Sequence, residues 1–223
     1  MLGFGTGCAS IPSQNPESTD APSPWLAKGE TIVLLRSPRF LFHWDHDVRA
    51  TRVDPIACAR QGLIDAGVAD SVLSEETFKQ TAFSDLPSNA APTDPESIRL
   101  LLTHPALLAR IAPLNLRYIV YAMSKTEVRD TFESWSGFVD AYSATVVGWK
   151  SWNQSSEFSF LVIDAKAVKD VASDDSREDG IGWWTAGMVV VPFVLGYESP
   201  TEQAACDDMA LKLRDALGKY GTQ

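Results

Sequence analysis

Leu116-Arg117-Tyr118-Ile119-Val120-Tyr121-Ala122-Met123 is the stretch on which the fold turns. Its β-branched and aromatic content predicts a central strand. Upstream of it the chain alternates between strand and helix signals. Residues 31–35 are a short apolar run, read as a first strand. Residues 54–67, DPIACARQGLIDAG, carry a helix start in Asp54-Pro55 and a stop at Gly67. A second short strand is expected at 71–73 and a short helix at 74–82. After a loop at 87–92, Asp94-Pro95 repeats the helix start and puts Ile98, Leu101 and Leu102 on one face. His104-Pro105 breaks that helix and opens another, to about residue 112.

Downstream, residues 138–149 and 158–171 read as two longer strands joined near 152–156. The acidic stretch 170–180 reads as a solvated loop. Residues 187–195 read as a last, buried strand. A closing helix follows, with Ser199 as N-cap, Pro200 at its opening and Glu202 completing a capping box. Cys206, Met209, Ala210, Leu213 and Leu217 recur along it at helical spacing. The order is mixed, without strict strand–helix alternation. It predicts an α/β (mixed α+β) domain with one mixed sheet flanked by helices, not a doubly wound fold. Residues 1–29 are expected to be a tether and residues 30–223 a single globular domain.

Charge excludes one class of partner. A net charge of −10, with 19 Lys and Arg scattered singly, leaves no basic stripe for nucleic acid. The same balance works against an anionic membrane surface. Residues 181–195 form the longest apolar stretch. It is too short for a helical span and holds Pro192.

The opening MLGFGTGCAS places small residues, Thr6 and Gly7, before Cys8, and Ala9 and Ser10 after it. A signal peptidase needs small residues at such a junction. Gly5 stands where Leu is usual, and a charged start and long apolar run are missing. A polar, Pro- and Ser-rich segment follows. This stretch resembles the mature start of bacterial lipoproteins. The resemblance implies a signal sequence, acylation (palmitate) at Cys8 and an envelope location, on the periplasmic side of an inner or outer membrane. The alternative is an ordinary flexible terminus.

With Cys8 acylated, Cys58 and Cys206 remain in an oxidising compartment, and such a pair often forms a disulfide. Cys206 sits in its helix's apolar stripe. Cys58 lies nearly opposite Ile56, Leu63 and Ile64 and would need the last helix to cover it. Two free buried thiols are the alternative. In layout, DPIACARQGLIDAG, LRYIVYAM, the adjacent strands and the terminal helix resemble the periplasmic α/β domains of curli-secretion-type lipoproteins and the TolB amino-terminal domain. No functional residue is carried over.

Catalytic motifs are absent: there is no nucleophile elbow and no phosphate loop. His43, Asp45, His46 and Asp47 have ligand chemistry for a metal. The plainer reading is a polar loop. Trp183 and Trp184 are adjacent, so a strand puts one on each face. Exposed Trp marks interfaces, whereas buried Trp is packing. Two functions follow. The first is a non-enzymatic envelope lipoprotein without cofactors, acting through contacts with envelope proteins in an assembly or secretion complex. It would touch the membrane only through its lipid, and a homo-oligomer is compatible with it. The alternative is a periplasmic metal-binding protein or hydrolase using the cluster at 43–47.

Overall fold

The computed structural model describes residues 26–37, 48–49, 51–87, 90–92, 94–139, 144–188 and 192–220. Cys8 and the cluster His43, Asp45, His46 and Asp47 lie outside the described residues. The elements run β1 (Thr31–Arg36), β2 (Val48–Arg49), α1 (Pro55–Asp65), β3 (Val72–Leu73), α2 (Glu75–Ala82), α3 (Pro95–Leu102) and α4 (Pro105–Ile111). They continue with β4 (Leu116–Val139), β5 (Ala144–Asp164), β6 (Lys169–Met188), β7 (Pro192–Glu198) and α5 (Thr201–Tyr220). The fold is mixed α/β, as the order of elements implies.

Local chemistry sets the helix starts. The Asp54 carboxylate accepts from the Ile56 N–H, Ser74 Oγ from Thr77 and Asp94 from Ser97. Each satisfies an amide that the first turn leaves unpaired. Gly67, at φ +77°, ends α1 in the left-handed region.

One seven-stranded sheet carries everything, in the order β3-β1-β4-β5-β6-β7, with β2 on β4. β3, β1 and β4 are parallel, and β4 to β7 are antiparallel. Parallel strands need covered faces. Here Ile32, Leu34, Val120, Phe158 and Phe160 pack under α1 and α5. On the other face Val33, Leu35, Ile119, Tyr121 and Ile163 pack under α2, α3 and α4. α1 and α5 lie side by side, joined by a disulfide between Cys58 and Cys206, whose Cα atoms are 5.4 Å apart. Cys58 is thus covered by the last helix. Gly62 allows the approach, since a Cβ there would stand 2.6 Å from the Ala210 carbonyl oxygen.

The second half of the sheet departs from the sequence reading. LRYIVYAM is only the first third of β4. Residues 138–149 are not one strand, because β4 ends at Val139 and β5 begins at Ala144. Residues 152–156 are not a connection. They are continuous β5, polar because they lie under the polar start of α5. The acidic stretch 170–180 is not a loop but the first half of β6. One face of that half lies under α5, the other faces solvent, and among the described residues no further strand pairs its edge, a place where charged side chains are favoured. Residues 187–195 straddle the end of β6 and the start of β7, and Phe193, Val194 and Leu195 there are exposed, not buried.

The capping box at α5 is also corrected. Ser199 Oγ accepts from the Ile181 N–H and donates to the Ile181 carbonyl. The Glu202 carboxylate instead accepts from the amides of Arg52 (2.6 Å) and Val53 (3.1 Å) and from Thr126 Oγ1 (3.1 Å). Both side chains are spent on docking the helix to the sheet.

Candidate functional site

Three strands outrun the helices. β4, β5 and β6 span 24, 21 and 20 residues. The helices cover only the half nearest β1. A buried polar seam marks the limit of that cover. Ser156 Oγ and Thr201 Oγ1 are 2.8 Å apart, Thr126 Oγ1 and Ser156 Oγ 3.2 Å, and the Gln154 amide donates to Thr201 Oγ1. Beyond this waist β4, β5 and β6 each continue for about nine residues, joined by β7, as a four-stranded antiparallel blade. A bulge at Thr131 sits at its foot, where the β4–β5 register shifts.

Paired residues on antiparallel strands share a face, so the registers sort the blade's side chains. The first face has the row Phe132, Ser151, Trp183, Tyr197, and above it Ser134, Trp149, Thr185, Leu195. Ser136, Val147, Gly187 and Phe193 follow, then Phe138 and Thr145. These four rows contain no Asp, Glu, Lys or Arg. Trp149 and Trp183 stack there at 5.0 Å. Phe132, Phe138 and Leu195 are 54%, 64% and 59% exposed. At the foot of this face the character changes abruptly to Arg129, Asn153, Glu127, Asp179, Lys125, Glu157 and Arg177.

The second face is mixed. Lys150 Nζ reaches Asp130 at 2.7 Å and Glu133 at 3.7 Å. Its hydrogen bond to Asp130 holds the ammonium pKa above the usual lysine range. Trp135 lies over Gly148 and Trp152 over Gly182. A Cβ at either glycine would meet the ring at 2.3 Å or 2.1 Å. Trp135 and Trp184 meet edge to face at 5.6 Å. The expectation that Trp183 and Trp184 point to opposite faces thus holds, with both partly exposed.

The blade has two unpaired edges among the described residues. Beyond the waist β4 bonds only to β5, and β7 bonds only to β6. Sequence reasoning missed the blade's extent. The signal was present as alternation in 144–151 (Ala-Thr-Val-Val-Gly-Trp-Lys-Ser) but is diluted by small residues. No group of His, Cys, Asp and Glu arranged for a metal occurs among the described residues. No helix among them is long and apolar enough to cross a membrane.

No family model matches the chain, and no curated protein matches it. Solved structures do. One is the PelC dodecamer of Paraburkholderia phytofirmans, at 12% identity and TM-score 0.33, over 86% of this chain and 91% of that one. Another is described as a neuraminyllactose-binding hemagglutinin homolog of Helicobacter pylori, at 12% identity and TM-score 0.29, over 85% and 84%. A third is lipoprotein GNA1162 of Neisseria meningitidis, at 15% identity and TM-score 0.26, over 68% and 83%.

Proposed function

We propose that this protein is a non-enzymatic envelope lipoprotein that acts through protein–protein contacts, made by its blade with further copies of itself in an assembly or secretion complex. The observation that carries the reading is the blade's first face, four rows of apolar and hydroxyl side chains without a charge, on strands with free edges. An edge strand left bare is a template for another chain, and β4 of one copy can pair with β7 of the next. Beyond the waist β4, β5 and β6 run for about nine residues each, near the ~9–11 that a tilted strand needs to cross hydrocarbon, and β7 runs for seven. A blade with one uncharged face, and a second face that carries Asp130, Lys150, Glu133 and Glu198 in its lower rows, has part of the two-sided pattern of a barrel wall in a bilayer. In hydrocarbon open edges are not tolerated, so such insertion requires closure by copies. With four strands each, two copies reach the ~8 of the smallest barrels. The disulfide fits an oxidising compartment, and an acylated Cys8 would hold the chain at the membrane.

The test is reconstitution of the full chain into phosphatidylcholine vesicles whose acyl chains carry bromine. The expected result is an oligomer whose tryptophan emission is quenched through Trp149 and Trp183. Leu195→Arg should abolish quenching and assembly while the Cys58–Cys206 bridge survives, as thiol counting reads. A wild-type chain that stays monomeric and unquenched would overturn the reading.

A further inference from the structure

At the foot of the uncharged face lies an open trough of about 510 Å³. Among the residues lining it are Glu127, Arg129, Asn153, Arg177, Asp179 and Ile181. We infer that it receives the headgroup of a phosphatidylethanolamine, a lipid whose phosphate carries a primary ammonium. The inference rests on the membrane-spanning reading of the blade, because only then does the trough stand at headgroup depth. Its position is fixed by register. Ile181 shares its level with Asn153 and Arg129, and the next row up is Phe132, Ser151 and Trp183. A lipid seated there would lay its chains along that apolar row.

The trough's charges match both ends of such a headgroup. Arg129 and Arg177 are exposed and only loosely paired, Arg129 to Glu127 at 3.7 Å and Arg177 to Asp179 at 3.4 Å. A guanidinium has five N–H donors in a planar fork, suited to two phosphate oxygens at once. Glu127 and Asp179 supply carboxylates for an ammonium. The hydrogen bond from Ser155, then the charge of Arg177, holds the Asp179 pKa below the usual carboxylate range.

The balance selects among lipids. Among the described residues that line it, two cations and two anions leave no excess charge to favour an anionic lipid. Quaternary ammonium groups are recognised by aromatic rings. No aromatic residue is among the described residues that line this trough, so a choline headgroup gains less from them than a primary ammonium, which donates hydrogen bonds to carboxylates.

The test uses the full chain in detergent micelles, so that binding does not depend on insertion. Short-chain phosphatidylethanolamine, phosphatidylcholine and phosphatidylglycerol are titrated separately, with free phosphoethanolamine and inorganic phosphate as competitors. The ethanolamine lipid should bind at least about tenfold tighter than either other lipid. Arg129→Gln with Arg177→Gln should bring the three within about twofold. Asp179→Asn should shift preference toward phosphatidylglycerol. Equal affinities in the wild type, no effect of the double variant, or displacement by inorganic phosphate as effective as by phosphoethanolamine would each overturn the site. Quenching in brominated vesicles, run in parallel, reports on the blade alone. A chain that prefers phosphatidylethanolamine in micelles yet never inserts would sink the membrane reading and leave the headgroup site standing.

Discussion

The same three strands make two unlike structures on either side of the waist. Below it, β4, β5 and β6 are covered by α1 and α5 on one face, and α2, α3 and α4 add cover on the other. Above it no helix among the described residues covers either face. Below, the side chains that meet are aliphatic and aromatic and fully enclosed. Above, aromatics of similar size are exposed, and glycines at 148 and 182 let Trp135 and Trp152 lie flat on the sheet instead of reaching a second layer. A strand is thus stabilised in two ways here, by a dry core in one half and by ladder bonds plus cross-strand rings in the other. The first is self-sufficient. The second leaves apolar area in water and asks for an occupant.

The largest test of that contrast is the disulfide, which ties two helices of the covered half across 148 residues of sequence. In the chain-entropy account, closing so long a loop stabilises by on the order of 4–5 kcal/mol. Cys58→Ala with Cys206→Ala should lower the urea midpoint by a corresponding amount. The signals of the covered half, read by near-UV circular dichroism, should be lost with it. A shift below about 1 kcal/mol would mean that the α1–α5 packing alone holds the pair.

Next comes a matched pair of leucines. Leu213 on α5 is fully buried, whereas Leu195 on β7 is 59% exposed. Leu213→Ala should cost about 2–5 kcal/mol, the range for emptying a core site. Leu195→Ala should change stability in water by less than about 0.5 kcal/mol. Equal losses in denaturant melts would show that the blade is packed in solution and would remove the distinction between the halves.

The covered half was largely legible in the sequence, and the blade was not. Asp54-Pro55 and Asp94-Pro95 announced two helix starts because capping is local chemistry, decided within four residues, whereas Ser74, read as the first residue of its helix, is the N-cap. LRYIVYAM announced its strand because a doubly covered strand is apolar without interruption. Past Met123 that signal fails for a physical reason. Strand β4 continues through Ser124, Lys125, Thr126, Glu127 and Arg129, of which Lys125, Glu127 and Arg129 ion-pair or face solvent, Ser124 bonds Thr51, and Thr126 belongs to the buried polar seam. Lys125, for instance, reaches Glu157 at 3.0 Å. Polarity there reports a solvent-facing row alternating with a buried hydrogen-bonded seam, not a loop. Likewise Glu202 occupies the capping-box position but is claimed by the amides of Arg52 and Val53, a contact across about 150 residues that no local rule contains. The pairing of Cys58 with Cys206 could be argued only as conditional on α5 covering α1, which is where the structure puts it.

A smaller test probes how closely the covered half is packed. A Cβ at Gly62 would stand 2.6 Å from the Ala210 carbonyl oxygen, which is backbone in a helix tied by the disulfide. Gly62→Ala should therefore cost about 1–3 kcal/mol, as overpacking does. At Gly182 the clash would be with the Trp152 ring, a side chain and not backbone, in a residue that is partly exposed although its Nε1 is buried. Gly182→Ala should cost less than Gly62→Ala in the same denaturant melt. The reverse order would mean that the blade, not the helix pair, is the more rigid half.

The smallest expected effect concerns charge at the seam between α5 and β6. Asp208 accepts from Lys212 Nζ at 2.8 Å and from Ser176 Oγ at 2.7 Å. The Lys212 bond, then the Ser176 bond, holds its pKa below the usual carboxylate range. A group whose folded pKa is depressed stabilises the fold above its unfolded pKa of roughly 4. That contribution is lost as pH falls through the lower, folded value. The side chain is 43% exposed, so solvent screens the pair and the contribution stays below about 1 kcal/mol. Asp208→Asn keeps an acceptor for Ser176 and removes only the charge. The variant should be slightly less stable than the wild type from about pH 5 upward and should converge on it toward about pH 2. High salt should narrow the gap at neutral pH, since exposed pairs are screened. A gap that widens in acid would show that the hydrogen bond to Ser176, and not the charge, fastens α5 to the strand that leads into the blade.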